Sequence, residues 1–514
     1  MRQKFVEFLL IIGVWLVSSV MGGRILFHMP TPNFSHNSVY IPIIREMARR
    51  GHHVVSITTR PIPPSPEVDL SNITQIDVSF VRDYWDKFFE VSINLNVLQQ
   101  IGVYQQKMHE ISELQLQHPE VAKLISNSSE HFDLVVVEWL GYYALFGWAH
   151  RFRAPLVGLF SADAVPDGHD FIGNPVHPYT AITFLMDSPI GIQMGFWQRM
   201  KSIYIAIMSR WHMYFVVHPK STALARRHFG QDTPSVADMG RNVSIVISNR
   251  NQALGGKAIV PAMILVDMLH IKEPKALPKD LKEFLDNATN GAVYFSLGSH
   301  IKSSKMSSDQ IQEILQAFSG LPYSVLWKWE EASLPGKPPN VKLCQWCPQQ
   351  DILAHPNVRL FMTQGGLQSA EEAIHFRVPI LGLPIQADQH FNIVTLHSKG
   401  VAEILDFYNV DSNEMHATVT KMMQDQSYTS RISLLAELME DQPQKPLERA
   451  AWWLEHVMRW GGAAHLRAAM LPWYQLLLLD AALALLAAGA AAALLLTLVA
   501  RGLKRFVARK RKVE

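Results

Sequence analysis

The sequence predicts an α/β protein made of two Rossmann-like halves followed by one long apolar helix, and three observations carry that reading. In the first half, short apolar runs at 25–29 and 54–58 flank a helix-like segment closed by Gly51. In the second half, the run 292–297 ends in Gly298-Ser299, and the run 358–362 leads through Thr363-Gln364 into Gly365-Gly366, a helix-like 368–374 and a further apolar run, 378–383. Near the end, residues 476–500 carry a single charge, Asp480. Short strands that are apolar throughout, rather than alternating, fit parallel sheets covered on both faces. In such doubly wound sheets, ligands bind outside the carboxyl ends of the strands.

Taken in order, residues 1–22 read as a secretory signal, with Arg2 and Lys4 before an apolar run at 8–17 and small residues Ser18, Ser19, Gly22 and Gly23 behind it. The run is short for a bilayer span, which favours cleavage. The first strand follows, then a loop 30–36, then a helix to about Arg50 that Gly51 caps. A second strand covers 54–58 and another 134–137. This β-loop-α-β start lacks the G-x-G-x-x-G of dinucleotide binders. Residues 181–217 are rich in Met and aromatics, including Phe184, Met194, Phe196, Trp197, Met200, Tyr204, Met208 and Trp211, and fit a helix core, an adaptable apolar pocket or a surface that touches the membrane. A polar, proline-bearing connection at 268–290 leads to the second half. The domains expected are therefore 23–270 and 271–472, with a membrane span at 476–500 and a basic tail at 501–514. The tail's positive charge places it in the cytoplasm and the bulk of the chain in the lumen. Its end, Lys510-Arg511-Lys512-Val513-Glu514, reads either as a dilysine return address to the endoplasmic reticulum or as a plain basic stop-transfer tail.

Composition narrows the partners. Lys and Arg number 47 against 45 Asp and Glu in 514 residues, so nothing points to nucleic acid. Two cysteines exclude a scaffold built on disulfides. They form a C-x-x-C, Cys344 to Cys347, but this enters Pro348 rather than a helix N-terminus, which argues against redox chemistry. Five glycosylation sequons, at Asn33, Asn72, Asn127, Asn242 and Asn287, all precede the span, as lumenal topology requires. Self-association in the membrane is compatible with all of these features.

The stretch 346–389 is the most specific. It contains Trp346-Cys347-Pro348-Gln349, Thr363-Gln364-Gly365-Gly366, Ser369, Glu372, Pro379, Pro384 and Asp388-Gln389. Glycine turns and helix N-termini offer free N–H groups to phosphate. In spacing and residue type the stretch resembles the nucleotide-sugar signature of the UDP-glycosyltransferases. The resemblance covers nearly the whole chain and implies the GT-B arrangement, two Rossmann-like domains facing a cleft. It implies that Trp346 stacks on uracil, Gln349 bonds the uridine, Glu372 accepts from the ribose, and Asp388 and Gln389 hold the sugar hydroxyls. Gly298, Ser299, Gln364, Gly365, Gly366 and Ser369 would cradle the diphosphate. Many members carry His where this chain has Gln364; some insect members share the glutamine.

Transfer to a hydroxyl needs a base, and histidine suits that near neutral pH. Among 22 histidines, His36 stands out by its place after the first strand, in a loop that resembles the family's catalytic loop, whereas His28, His52 and His53 read as strand or turn residues. The family's orienting acid follows a strand in the pattern Phe-Asp-x-x-x-x-Asp; here Phe132-Asp133 is followed by Glu138 at that position. Glutamate is one methylene longer, and a surface charge at the strand end is the competing reading. The implied function is inverting transfer of a sugar, glucose before glucuronic acid, from UDP-sugar to a small lipophilic acceptor. No cofactor and no metal are expected, UDP-sugar being the donor substrate. A UDP-sugar-binding protein without turnover is the alternative; a nicotinamide oxidoreductase is disfavoured by the absent glycine fingerprint.

Overall fold

The computed structural model describes residues 22–64, 69–85, 95–163, 166–174, 194–255, 258–299, 301–466, 473–476 and 478–510. The expected signal, Phe184 and the last four residues lie outside them. The first half holds seven strands: β1 (Arg24–Met29), β2 (His53–Thr58), β3 (Ile73–Asp77), β4 (Leu134–Glu138), β5 (Leu156–Phe160), β6 (Ile245–Asn249) and β7 (Met263–Val266). They form one parallel sheet in the order β3-β2-β1-β4-β5-β6-β7. The second half holds β8 (Ala292–Ser296), β9 (Ser324–Lys328), β10 (Val341–Cys344), β11 (Val358–Thr363), β12 (Ile380–Gly382) and β13 (Ala402–Ile404). These pair in parallel in the order β10-β9-β8-β11-β12-β13.

Both sheets are covered on both faces, which is why their strands read as unbroken apolar runs. In β1, Leu26 joins the core on one side while Ile25, Phe27 and Met29 join the core on the other. In β8, Ala292 and Tyr294 face one core and Val293 and Phe295 the other. In each sheet the strand order reverses once, between β1 and β4 and between β8 and β11. Those two crevices are where a doubly wound sheet receives ligands.

Seven helices position the site or depart from expectation. Helix α1 (Phe34–Arg49) starts three residues earlier than the predicted loop allows. Asn33 caps it, its side chain accepting from the Ser35 N–H at 2.9 Å, so His36 sits in the first helical turn. Helix α2 (Phe196–His212) corrects the core reading: Phe196, Trp197, Met200, Tyr204 and Trp211 are exposed. The stretch 268–290, read as a plain connection, contains α3 (Lys279–Asp286). Helices α4 (Leu367–His375) and α5 (Gln389–Ser398) follow β11 and β12.

Helix α6 (Pro446–Trp460) was expected with the second domain, but it packs on the first sheet. Ala450, Ala451, Leu454 and Val457 are buried among Ile25, Ile43 and Val266, and Arg449 donates to the Leu265 carbonyl at 3.0 Å. The described residues up to 466 form one compact unit. The remainder is a separate unit whose helix α7 (Leu479–Lys510) begins after Leu478, a residue with φ of 54°. Its segment Leu479–Arg505 is long and apolar enough to cross a membrane and is exposed throughout, a few residues later than expected.

Candidate active site

A cavity of about 570 Å³ is lined from the carboxyl ends of both sheets. His36 and Ser161 line it from the first sheet; Gly298, Gly366, Glu372 and Asp388 line it from the second. The first-sheet contribution comes from the β1/β4 crevice. His36 follows β1 by one turn of α1, and Glu138 ends β4.

Glu138 is fully buried, which removes the surface-charge reading. Its carboxylate meets three donors: His36 Nδ1 at 2.7 Å, the Tyr40 hydroxyl at 2.8 Å and the Thr31 N–H at 3.0 Å. Burial and the charge of Glu138 push the Tyr40 hydroxyl far above its ordinary pKa, so it remains a donor. A carboxylate at Nδ1 holds the imidazole with its proton there and leaves the Nε2 lone pair available. The His36 side chain is 19% exposed, on the cavity. His28 is different. Burial drops its pKa to about 4, and it is enclosed by Gln115 and Trp148, a strand residue as expected and buried in the core.

The β8/β11 crevice supplies two glycine turns. Gly298 has φ of 80°, and a methyl group there would lie 2.2 Å from Gln364 Nε2. Gly365 has φ of 89°, and a methyl group there would lie 2.3 Å from Ile393. Gly365 therefore requires glycine on backbone conformation and on space, and Gly298 on backbone conformation. Gln364 is buried, accepts from Thr363 Oγ1 at 2.9 Å and presents its amide nitrogen to the Gly298 turn. Gly366 caps α4, and the first-turn residues Leu367, Gln368 and Ser369 line the cavity, the Leu367 N–H donating to Asp388.

Around Glu372 the residues form a closed network. Glu372 Oε2 accepts from Gln349 Nε2 at 2.7 Å, and Oε1 accepts from Gln350 Nε2 at 2.9 Å. Burial would raise the Glu372 pKa, but His270, Gln349 and Gln350 bring it below the ordinary value. Gln349 also donates to Ser369 Oγ at 3.0 Å and accepts from the Tyr294 hydroxyl at 3.3 Å. Ser369, accepting there, keeps its own O–H to donate. Gln349 thus orients Ser369 and Glu372 rather than standing free. Trp346 is 68% exposed, lines the cavity and makes an edge-to-face contact with Phe34 from the other half, centroids 6.1 Å apart. Its neighbours Cys344 and Cys347 are joined as a disulfide.

At the start of α5, Asp388 Oδ2 accepts from Asn392 Nδ2 at 2.8 Å, and Asn392 also donates to the Gly365 carbonyl at 3.0 Å. Burial raises the Asp388 pKa, offset in part by Asn392 and by nearby His36. Gln389 Oε1 accepts from the Ile385 and Gln386 N–H groups at 2.9 and 3.0 Å, so only its amide nitrogen is left for a ligand. Ala387 between them adopts φ of 56°, a strained conformation of the kind that recurs at ligand clamps. Ser299 lines the cavity beside Gly298. Among the described residues no three His, Cys, Asp or Glu side chains stand close enough to hold a metal ion.

Sequence reasoning missed Thr31, Tyr40, His270, Gln350 and Asn392. Tyr40 lies four residues after His36 and Asn392 four after Asp388, spacings that share a helix face and were legible. Gln350 was legible as half of a Gln-Gln pair. Thr31 and His270 carried no local signal. The first half lines the cavity with Trp85, Ile101, Met108, Leu140, Phe160 and Met213, an apolar wall.

Comparison with known proteins agrees with this geometry. The family model described as "UDP-glucoronosyl and UDP-glucosyl transferase" matches residues 24–513. UDP-glucosyltransferase 2 of Dactylopius coccus is 32% identical over 92% of this chain and 91% of its own length. Human UDP-glucuronosyltransferase 2B7 is 33% identical over 65% of this chain and 63% of its own length. Among solved structures, the calicheamicin glycosyltransferase CalG4 superposes with a TM-score of 0.57 at 18% identity, covering 85% of this chain and 99% of that one, which shows the shared GT-B fold. The chain belongs to the UDP-glucuronosyl and UDP-glucosyl transferase family and transfers sugar from a UDP-sugar to an acceptor.

Proposed function

We propose that the protein transfers glucose from UDP-glucose to a hydroxyl of a small lipophilic acceptor, with inversion, while anchored in the endoplasmic reticulum membrane. The observation that carries the reading is the His36–Glu138 pair facing Asp388 and the glycine cradle across one cavity. The acceptor oxygen passes its proton to His36 Nε2 and attacks the anomeric carbon. The bond from that carbon to the diphosphate oxygen breaks, and the electron pair leaves on UDP. Glu138 supports the imidazolium formed. The N-terminus of α4, the Ser369 hydroxyl and the Gln364 amide meet the charge on the leaving diphosphate. Trp346 holds the uracil, Glu372 the ribose, Asp388 and the Gln389 amide nitrogen the sugar hydroxyls.

Glucose is favoured because relatives named as glucosyltransferases match over more of this chain, 92% against 65% for the human glucuronosyltransferase. A viral ecdysteroid UDP-glucosyltransferase, from Spodoptera littoralis nuclear polyhedrosis virus, is 29% identical over 93% of the chain. A steroid acceptor fits the apolar wall opposite the donor side. Helix α7 would be the anchor, with the body lumenal, and glycans would sit on exposed Asn242 and Asn287 rather than on the buried cap Asn33. The test is transfer by membranes bearing the full chain, given labelled UDP-glucose and UDP-glucuronic acid in parallel with phenol and steroid acceptors. Glucoside is expected; glucuronide alone would overturn the sugar assignment. Retention of the chain in membranes after alkaline carbonate washing tests the anchor.

A further inference from the structure

His270 lies in the stretch the sequence presents as a linker, yet it is buried at the seam between the two sheets. Its Nε2 lies 3.1 Å from the Gln368 carbonyl and 3.4 Å from Glu372 Oε1. Its Nδ1 is buried without a hydrogen-bond partner and points at Glu371 Oε2, 3.7 Å away. The His270 carbonyl in turn accepts from Gln350 Nε2 at 3.1 Å, and Gln350 also holds Glu372. Glu371 is fully buried and is gripped by Asn249, the last residue of β6, through both carboxylate oxygens at 3.2 and 3.1 Å. Three residues earlier on α4, Gln368 donates to the Ser161 carbonyl of the first sheet at 2.9 Å. Two adjacent glutamates on α4 therefore do different work. Glu371 bolts the helix to the first sheet, Glu372 faces the donor cavity, and the ring of His270 stands between them.

We propose that His270 is a positioning residue for donor binding: its ring, held between Glu371 and Glu372, fixes the Glu372 carboxylate for the nucleoside ribose and ties that grip to the seam between the two sheets. The inference rests on Glu372 being the ribose acceptor. Electrostatics support it. Burial alone would lower the His270 pKa, but the hydrogen bond to Glu372 and the charges of Glu372 and Glu371 raise it. The other ionisable groups facing this cluster are Asp267 beyond β7, whose pKa burial raises, His375 on α4, and Arg449 on α6, which acts on Asp267. Burial pushes Glu371 up to about 7, with Asp267 adding to the shift and His270 opposing it. A histidine with a raised pKa makes its charged contacts below that pKa and loses them as pH rises through it. Donor binding should therefore weaken on the alkaline side.

The test measures donor KM and kcat for full-length enzyme in membranes from about pH 6 to about pH 9, bracketing the histidine range. Loss of one charge-assisted contact predicts that His270→Gln raises the donor KM about tenfold at the acid end, with kcat changed little. The same variant should show a KM that no longer climbs with pH. Glu371→Gln removes one of the charges that keep His270 protonated, so its KM should begin to climb at lower pH than in wild type. Should His270→Gln fail to fold, the Glu371→Gln shift decides alone. Glu372→Gln separates the two levels of argument. If it leaves donor KM unchanged, the ribose assignment itself fails. If it raises KM while His270→Gln keeps the wild-type KM and pH dependence, the positioning role is overturned and the donor site stands.

Discussion

Replacing Glu138 by Gln is the most informative single change at the catalytic pair. The side chain keeps its shape, but one of two acceptor oxygens becomes an NH2 group. In the structure all three neighbours donate: His36 Nδ1, the Tyr40 hydroxyl and the Thr31 N–H. If the new NH2 faces Thr31, two donors oppose each other in a buried site. If it faces His36, the imidazole must flip its proton to Nε2 and is no longer a base toward the cavity. Either arrangement also removes the charge that supports the imidazolium. A charge-assisted hydrogen bond contributes about 1.5–3 kcal/mol. At 1.36 kcal/mol per tenfold, that predicts a fall in kcat of about 10- to 150-fold. The donor cradle is built from the other half of the chain, so UDP affinity should hold. The assay is steady-state transfer at saturating donor with a parallel UDP-binding titration. A Glu138→Gln variant that folds and keeps more than half of wild-type kcat would refute the pairing argument.

Two further substitutions probe the donor side. Gly365→Ala places a methyl group against Ile393 in a left-handed backbone, which costs roughly 1–2 kcal/mol for the conformation and 1–3 for overpacking. A lowered melting temperature and lost UDP binding are expected, and Ile393→Ala should restore only the packing part. Trp346→Ala removes an exposed cavity aromatic; loss of base stacking worth about 1–3 kcal/mol should weaken UDP binding several-fold to a hundredfold while kcat at saturation changes little.

How far the molecule could be read from its sequence depended on whether the signal was local. The strands were legible because burial on both faces makes each an unbroken apolar run, and β1, β4, β8 and β11 fall within a residue or so of the runs that announced them. Knowing where strands end placed His36, Glu138 and Gly365 at the two crevices. The start of α1 was misjudged although Asn33 is a good cap, because Pro30 and Pro32 beside it read as loop. Side-chain direction was not legible at Gln349 and Gln389, whose amides are committed to Tyr294, Ser369 and Glu372 or to the backbone after β12. The apolar face of α6 announces an amphipathic helix without saying which sheet it covers. His270 was hidden for the same reason: its partners lie some hundred residues away on α4. On α2, aromatic content suggested core, and only the fold reveals that Ser209 and Arg210 line the cavity while Trp197 and Tyr204 face outward.

The proposed mechanism depends most directly on His36 as the base. The decisive measurement is transfer by His36→Ala beside wild type in membranes carrying the full chain, with UDP binding followed in the same samples. The structure predicts glycoside formation lost by orders of magnitude with UDP still bound, since Trp346, Glu372 and the glycine cradle do not depend on the imidazole. Transfer at the wild-type rate in His36→Ala would contradict the mechanism and move the search for the base elsewhere in the cavity.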